Sequence, residues 1–230
     1  MQQNDVIIRP IAHVYTDFSE KFGIPRQSGL VEELCGRVVF TEEYRRPEAL
    51  KRIEEFSHLW LIWQFSKAVR EGWSPTVRPP RLGGNERMGV FATRSPFRPN
   101  AMGLSSVRLK KVDLDPQLGP VLYVSGVDMM DGTPIFDIKP YLAYADSHPE
   151  AVGGWSDVAE RKALQVCCSE ALQEKVPSHQ KKALWAVLAA DPRPRYQNDP
   201  QRVYGMTFAA QNIKFRVEND TLYVLEVEPV

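Results

Sequence analysis

The sequence predicts a mainly β protein: an antiparallel β-barrel followed by a small α+β region. Two observations support this prediction. The first 150 residues contain seven short stretches rich in β-branched and aromatic residues, separated by turns that contain proline or glycine. No glycine-rich nucleotide fingerprint, Walker loop or nucleophile elbow accompanies them, which argues against a Rossmann-type fold. A closed or nearly closed barrel accommodates such a series of strands.

The predicted barrel strands are, in order, residues 6–15, 37–41, 59–65, 88–93, 104–112, 121–127 and 135–141. Residues 59–65, LWLIWQF, are apolar and aromatic enough to predict a strand that is buried on both faces. Residues 47–56 predict the one early helix. Pro47 suits a first helical turn, and the apolar side chains of this stretch are spaced as one helical face.

The character of the chain changes after Pro149, and we place a domain boundary near residue 150, between residues 1–150 and 151–230. Residues 163–168 fit either an alternating strand or the start of a helix, and we favour a strand followed by a helix. The remaining predicted elements are a helix at residues 180–190, a hairpin of strands at 203–208 and 213–217, and a last strand at 222–227.

The composition is that of an ordinary globular protein, with 43% hydrophobic and 25% charged residues among 230. The 29 basic and 29 acidic residues balance, so contact with nucleic acid would require a local basic patch. Three unpatterned cysteines predict neither a disulfide framework nor a metal site. No signal peptide and no membrane-length apolar run are recognisable, and a cytoplasmic protein is therefore expected.

Residues 89–100, GVFATRSPFRPN, join an apolar run to two arginines in a turn stiffened by prolines. Holding Arg94 and Arg98 in a rigid turn costs side-chain entropy, so the pattern suggests a site for an anion as readily as a surface loop. Three other polar loops interrupt apolar strands, at residues 23–29, 57–59 and 131–134.

Each of these features also has a purely structural explanation. DGTP at residues 131–134 is a common turn sequence, and His58 can be a capping or core histidine. Asp137 and Lys139 alternate along a strand and can be an exposed ion pair. Arginines cluster around Trp73 in residues 69–87, a combination that suits phosphate contact and base stacking but also suits a solvated loop.

Considered together, the motifs KFGIPRQSGL, EEFSHLWLIWQF, RPPRLGGN, GVFATRSPFRPNAMGLSSVRL and DGTPIFDIKPYLAYADS closely resemble the signatures of the TsaA-like, or TrmO, family. That family comprises tRNA methyltransferases that act on threonylcarbamoyladenosine beside the anticodon. The resemblance covers about residues 5–147. The DPRPRY segment that begins at Asp191 resembles the C-terminal extension of bacterial members.

The resemblance implies a non-Rossmann methyltransferase that uses S-adenosylmethionine, works as a homodimer and needs neither metal nor membrane. Its substrate would be threonine tRNA that already carries the threonylcarbamoyl group. The positions that match the family's donor-binding residues are Pro25, Arg26, Gln27, His58, Leu59, Arg94, Leu104, Asp131, Gly132, Thr133 and Pro134. One departure is RPNAMGLS in place of RPNPIGLS. Ala101 and Met102 are expected to shift the geometry slightly without abolishing activity.

The chemistry of the donor suggests specific roles. Arg94 would pair with its carboxylate, Asp131 would accept from its amino group or ribose, and Leu59 and Leu104 would sandwich its adenine. Asp137 is the first candidate for a base, with Lys139 stabilising negative charge on the acceptor carbonyl. The predicted tRNA contacts are Arg70, Arg78, Arg81, Arg87, Arg98, Arg193, Arg195, Lys214 and Arg216, although Arg98 could instead face a partner subunit. A non-catalytic RNA-binding barrel and a methyltransferase with another substrate are the alternatives.

Overall fold

The structure is a computed structural model that describes residues 6–69, 72–79, 86–157, 162–194 and 199–230. Its strands are β1 Ala12–Thr16, β2 Cys35–Phe40, β3 His58–Gln64, β4 Thr76–Val77, β5 Met88–Gly89, β6 Met102–Asp115, β7 Gly119–Ser125, β8 Thr133–Pro140, β9 Gln165–Cys167, β10 Tyr204–Phe208, β11 Gln211–Glu218 and β12 Thr221–Pro229. The α-helices are α1 Ala143–Asp146, α2 Glu170–Glu174 and α3 Ser178–Ala189.

Six strands close into an antiparallel barrel in the order β1-β2-β7-β6-β3-β8. Side chains from every second position of these strands fill its interior, among them Val14, Val38, Leu61 and Leu122, all buried. The alternation of apolar and polar residues along the strands therefore decides which face is inside. The predicted mainly β barrel is confirmed.

A second sheet, in the order β10-β11-β12-β9, carries α2 and α3. Residues 163–168 do form a short strand, β9, that is followed by α2, and residues 204–218 form the expected hairpin. The core of this sheet is continuous with that of the barrel. The rings of Phe18 and Phe208 meet edge to face at 5.3 Å, and a buried phenylalanine contributes about 1.5–3 kcal/mol.

The segment between β1 and β2 joins the two parts. It carries Phe18, and its Asp17 carbonyl oxygen accepts a hydrogen bond of 2.8 Å from the Ala209 N–H. The rings of Phe22 and Tyr204 stack with their centroids 6.4 Å apart. The segment that leads into the loop at residues 23–29 is thus packed against the second sheet, and Gly23 lies next to Met206 of β10.

The predicted helix at residues 47–56 is wrong. Two 3₁₀ turns, Pro47–Leu50 and Ile53–Glu55, occupy this stretch, and Arg52 between them has a φ of 69°. A left-handed residue cannot continue a right-handed helix. The apolar face was predicted correctly, because Leu50, Ile53 and Phe56 pack against the core.

The predicted strand at residues 88–93 is also largely wrong. Only Met88–Gly89 pairs, with Thr76–Val77, in a two-stranded sheet outside the barrel. A 3₁₀ turn then runs over Val90–Ala92, where Val90 is buried and Phe91 is exposed. Burial of Val90 alone is enough to anchor this turn. The apolar run therefore does not have to form a strand that pairs with neighbours on both sides.

Two further predictions need correction. The first strand begins at Ala12 rather than at residue 6, since only residues 12–16 pair with β2. The third strand is not buried on both faces. Along β3 the side chains of Leu59, Leu61 and Trp63 point into the barrel, while those between them are only partly covered. The outer face of β3 is therefore available to form a site.

Candidate functional site

Two residues that the sequence assigned to donor binding meet at one end of the barrel. Arg94 Nη1 donates a hydrogen bond to Gln27 Oε1, although the two residues are 67 positions apart in the chain. Gln27 Nε2 in turn donates to the carbonyl oxygen of Arg26. Arg94 is exposed, so its guanidinium combines a defined orientation with access for a carboxylate.

The loop that follows Gln27 is pinned to the segment after β7. The Gly29 N–H donates to the Gly126 carbonyl oxygen at 2.9 Å, and the Gly126 N–H donates to the Leu34 carbonyl oxygen at 2.8 Å. Arg26 Nη2 also donates to the carbonyl oxygen of Arg193, at 3.2 Å. The predicted Pro25–Gln27 element is therefore held from both the barrel and the C-terminal part.

Asp128 is a further polar residue at this end of the barrel, and the sequence analysis did not identify it as a candidate site residue. Its Oδ1 accepts a hydrogen bond of 2.6 Å from Ser105 Oγ, and Ser105 accepts one of 2.9 Å from Trp63 Nε1. Burial raises the pKa of Asp128 to about 6, despite opposing contributions from Ser105, the Ser28 N–H and Arg94. A lone carboxylate in the otherwise apolar stretch VSGVDMM was the available signal.

The DGTP segment forms a tight turn between this cluster and β1. Asp131 Oδ1 accepts a hydrogen bond of 2.9 Å from the Thr16 N–H, and the Gly132 N–H donates to the Val14 carbonyl oxygen, also at 2.9 Å. Gly132 needs a φ of 72°, which favours glycine. Asp131 is exposed, whereas Thr133 is buried and its hydroxyl donates to the Met130 carbonyl oxygen.

A second group of predicted residues lies on the outer face of β6, β3 and β8. Leu104 pairs with Ile62, and Ile62 pairs with Asp137, so the three side chains form one row across the strands. Adjacent strands lie about 4.8 Å apart, which places Leu104 about 10 Å from Asp137. Asp137 Oδ2 forms an ion pair of 2.9 Å with Lys139 Nζ, and its side chain is 45% exposed.

A β-bulge in β8 decides that Asp137 faces outwards. The register shifts between Ile62 and Trp63, which pair with Asp137 and Ile135 respectively. Ile135 and Ile138 can therefore both contact the core, although three positions separate them. Bulges of this kind re-aim side chains beside active sites in many proteins.

The predicted adenine sandwich between Leu59 and Leu104 is wrong. Leu59 is 0% exposed inside the barrel, whereas Leu104 is 57% exposed on its outer face. Val107, the partner of Leu59 in β6, lies three positions from Leu104, and an odd separation along a strand changes the face. Leu104 alone is placed to contact a ligand.

His58 lies far from the DGTP turn within one chain. Its carbonyl oxygen accepts a hydrogen bond of 3.0 Å from the Tyr141 N–H, beyond the end of β8, while Thr133 begins that strand. Eight residues at about 3.3 Å each separate these positions by roughly 25 Å. The His58 ring contacts the Tyr141 ring and its Nδ1 hydrogen-bonds Ser57 Oγ at 2.9 Å.

A groove of about 960 Å³ continues the outer face past the row that holds Leu104. Gln64, Met102 and Phe136 of the barrel strands line it, together with Trp73 and Arg98. Its size and its mixture of aromatic and polar side chains suit a nucleotide-sized ligand. Met102, one of the departures from the family motif, lines the groove.

The predicted tRNA residues have different environments. Arg78 and Arg87 are exposed and adjoin the Val77–Met88 pair of β4 and β5, and Arg87 Nε donates a hydrogen bond of 2.9 Å to Thr76 Oγ1. Arg98 Nη1 donates to the Thr93 and Ser95 carbonyl oxygens of its own turn. Arg70, Arg81 and Arg195 lie outside the described residues.

Three C-terminal cations predicted to contact tRNA lie within the described residues, and each forms an ion pair. Arg193 donates to both carboxylate oxygens of Asp191, at 2.8 and 3.0 Å, and its side chain is only 11% exposed. It is therefore not available to contact a phosphate, contrary to the sequence-based assignment. Lys214 and Arg216 form ion pairs with Glu226 at 2.6 Å and with Glu218 at 3.9 Å.

Across the described ranges, no group of three or more His, Cys, Asp or Glu side chains is arranged to hold a metal ion. Among the helices in the part of the chain that the structure describes, none has the length and apolar character needed to cross a membrane.

Comparison with known proteins connects both parts of the fold to one family. Residues 13–147 match the family described as the tRNA-methyltransferase O N-terminal domain, and residues 161–230 match the TrmO C-terminal domain. The tRNA (adenine(37)-N6)-methyltransferase of Escherichia coli strain K12 is 38% identical over 227 residues, which cover 95% of this chain and 96% of that protein.

Two similar proteins come from Pseudomonas aeruginosa. A putative S-adenosylmethionine-dependent methyltransferase is 38% identical over 229 residues, covering 96% of both chains. A crystal structure of TrmO superimposes with a TM-score of 0.81 and 32% identity, covering 100% of each chain. The barrel and these matches together define a tRNA methyltransferase of the β-barrel class. The chain belongs to the TrmO family.

Proposed function

We propose that this protein transfers a methyl group from S-adenosylmethionine to the exocyclic nitrogen of threonylcarbamoyladenosine at position 37 of threonine tRNA. The observation that carries the proposal is the match of both parts of the chain to the TrmO family, whose Escherichia coli member is named for adenine 37. The pairing of Gln27 with Arg94 supports a donor site in this chain. A cytoplasmic location is part of the same proposal.

The residues at the barrel end fit the chemistry of the donor. The exposed guanidinium of Arg94 can pair with a carboxylate, and the exposed carboxylate of Asp131 can accept from an amino group or ribose hydroxyls. Leu104 offers an exposed apolar side chain to an adenine face. When bound, S-adenosylmethionine supplies an electrophilic methyl carbon.

The chain's own contribution to the reaction is alignment and proton removal. Holding donor and acceptor in line can supply much of the acceleration of a displacement. The acceptor nitrogen is conjugated with a carbonyl group, which delocalises its lone pair. Removal of its proton therefore makes it a better nucleophile as the N–C bond forms and the donor's C–S bond breaks. Asp137 would accept this proton, while Lys139, 2.9 Å from it, would stabilise negative charge on the carbonyl oxygen.

We further propose that the functional unit is a homodimer with shared sites. His58 lies roughly 25 Å along β8 from Thr133, a separation that a single donor molecule does not bridge. A second copy could bring its His58 beside the Gln27–Arg94 pair of the first. Residues 1–150 would then form the donor-binding domain, and residues 151–230 would form a small domain that contacts tRNA.

Mixing two inactive variants tests the shared site. Arg94→Ala and His58→Ala, unfolded together and refolded as a 1:1 mixture, should recover about a quarter of the wild-type activity if each site uses one residue from each subunit. Refolding each variant alone controls for reactivation. A mixture no more active than its components, despite a dimeric mass in light scattering, would show that sites are not shared.

The activity itself is tested by mass analysis of nucleosides from threonine tRNA after incubation with donor. The expected product is threonylcarbamoyladenosine heavier by one methyl group, formed only when the tRNA already carries the threonylcarbamoyl group. Methylation of tRNA that lacks this group would point to another substrate. Absence of S-adenosylmethionine binding in calorimetry would leave only a non-catalytic RNA-binding barrel.

A further inference from the structure

Asp128 links the barrel interior to the residues proposed to hold the donor. It lies in the segment between β7 and β8, which passes beside the inner face of β6. From the interior, Trp63 Nε1 donates to Ser105 Oγ at 2.9 Å, and Ser105 Oγ donates to Asp128 Oδ1 at 2.6 Å. Ser105 is 1% exposed, so this relay is shielded from water.

The other side of Asp128 faces the loop at residues 23–29, called the donor loop below because it carries Pro25, Arg26 and Gln27, which are proposed to bind the donor. The Ser28 backbone N–H hydrogen-bonds its carboxylate, and the positive charge of Arg94 favours its ionised form. Ser28 directly follows Gln27, whose Oε1 accepts from Arg94 Nη1. Two residues before Asp128, the Gly126 carbonyl oxygen accepts a hydrogen bond of 2.9 Å from the Gly29 N–H, so the segment that carries Asp128 is joined to the loop that carries Gln27.

A buried carboxylate is costly unless it is compensated, and a neutral side chain at this position would cost less. Keeping the charge here is useful when it orients a cation and an amide for a ligand that binds next to them. An asparagine has nearly the same shape and can still accept from Ser105, but it lacks the charge that attracts Arg94.

We propose that Asp128 is a positioning residue of the donor site: anchored by Ser105, it holds the Ser28 amide and with it the loop at residues 23–29, so that Gln27 orients the Arg94 guanidinium for the donor carboxylate. This role rests on the proposed donor-binding function. Asp128 acts through other residues and does not itself contact the reacting atoms.

The test compares Asp128→Asn with Ser105→Ala and with Asp113→Asn, a matched control that alters an exposed carboxylate of β6 paired with Lys111. Asp128→Asn should weaken S-adenosylmethionine binding about tenfold in calorimetry, and Ser105→Ala about threefold, on the scale of a lost charge-assisted hydrogen bond. The KM for the donor should rise to match, while kcat at saturating donor stays within about twofold. Asp113→Asn should leave both constants unchanged.

A second measurement does not depend on the donor. Hydrogen exchange of amides in residues 23–34, measured without ligand, should be faster in Asp128→Asn and Ser105→Ala than in the wild type, but not in Asp113→Asn. If the wild type bound no donor while this difference appeared, the proposed function and the donor-site role would both fail, and Asp128 would be left with the structural role of ordering this loop.

Three results would overturn the proposal. Unchanged exchange with unchanged donor affinity would make Asp128 a spectator. Weaker donor binding with unchanged exchange would mean that Asp128 contacts the donor directly. A large loss of kcat with unaltered donor affinity would make it a base rather than a positioning residue. If Asp128→Asn does not fold, the donor affinity and hydrogen exchange of Ser105→Ala decide between these outcomes.

Discussion

The indole ring of Trp63 lies directly against Gly103, its partner in the β3–β6 ladder, and a Cβ atom at Gly103 would overlap the ring. This contact explains why the motif NAMGLSS contains a glycine at this point. The same ring donates its N–H to Ser105, two residues further along β6. Gly103 thus permits the side-chain position on which the Asp128 relay depends.

Gly103→Ala is expected to lower the free energy of unfolding by about 1–3 kcal/mol, because the indole must move to accommodate the methyl group. Urea denaturation followed by tryptophan fluorescence measures this change. Gly89→Ala is the matched control, since a Cβ at Gly89 meets nothing within 4 Å, and its effect should be below about 0.5 kcal/mol. Similar losses in the two variants would contradict the packing argument.

Gly23→Ala should destabilise the donor loop more than Gly29→Ala does. Both glycines have positive φ, 94° and 75°, so both substitutions cost about 1 kcal/mol of backbone strain. Only at Gly23 would the new Cβ overlap a side chain, the thioether of Met206 in β10. Thermal unfolding should show the larger loss for Gly23→Ala, and calorimetry should show weaker donor binding for it. Equal losses of stability and of donor affinity in the two variants would show that contact with the second sheet does not hold the donor loop in place.

The charge of Asp128 should make stability depend on pH. The folded-state pKa of about 6 exceeds the ordinary value of 3.8, so the folded protein binds the proton more tightly than the unfolded chain. Stability is therefore lost as the pH rises through this interval, and raising the pH from 5 to 8 should cost about 1.4 kcal/mol. Asp128→Asn should lack this component.

The comparison is made by denaturation of the wild type and Asp128→Asn at both pH values. The wild type should lose stability relative to the variant on going from pH 5 to pH 8. A difference between the two proteins that does not vary with pH would show that the carboxylate titrates normally and is not desolvated.

Arg78 and Arg87 should contribute jointly to tRNA binding through their shared hairpin. Replacing both with glutamine should weaken binding and reduce the slope of log K against log salt by about 1.4, because each phosphate contact in single-stranded regions contributes about 0.7. Filter binding over a salt series measures this slope. Arg37→Gln, an exposed arginine of β2, is the control. An unchanged slope in the double variant would exclude the hairpin from the tRNA surface.

Asp137→Asn should lower kcat by about 10²–10⁴-fold, the usual contribution of a positioned base, with the affinity for S-adenosylmethionine unchanged. Single-turnover methylation of modified threonine tRNA reports the chemical step. Asp113→Asn again changes an exposed, lysine-paired carboxylate without touching the groove. A kcat within twofold of the wild type would leave Asp137 with the structural role of pairing with Lys139.

The turn that holds Arg94 and Arg98 illustrates how far local sequence can be interpreted. Its prolines and arginines indicated an anion site, and Arg94 does meet Gln27. The two arginines nevertheless have different surroundings: Arg98 donates to carbonyl oxygens within its own turn, while Arg94 reaches another loop. The local sequence contains no difference that would separate them, because the distinction depends on what folds against each side chain.

Several elements could not be predicted because long-range contacts determine them. The helical face at residues 47–56 was correct, but packing on the barrel selects two 3₁₀ turns separated by Arg52. Asp137 faces outwards because of a bulge in the β3–β8 pairing, and neither strand signals that bulge alone. Asp128 became a candidate only when Ser105, Ser28 and Arg94 were found around it.

The sequence by itself determined the barrel class and the motifs that place the chain in its family, because both depend on local features: alternation along strands, turn residues, and rare combinations such as PRQ and DGTP. Only the tertiary structure decided which motif residues share a surface. Leu104 and Asp137 came together across Ile62, Gln27 met Arg94, and Leu59 and His58 were separated from them. Closure of the barrel sets these relations, since strand register fixes neighbours that are distant in the chain.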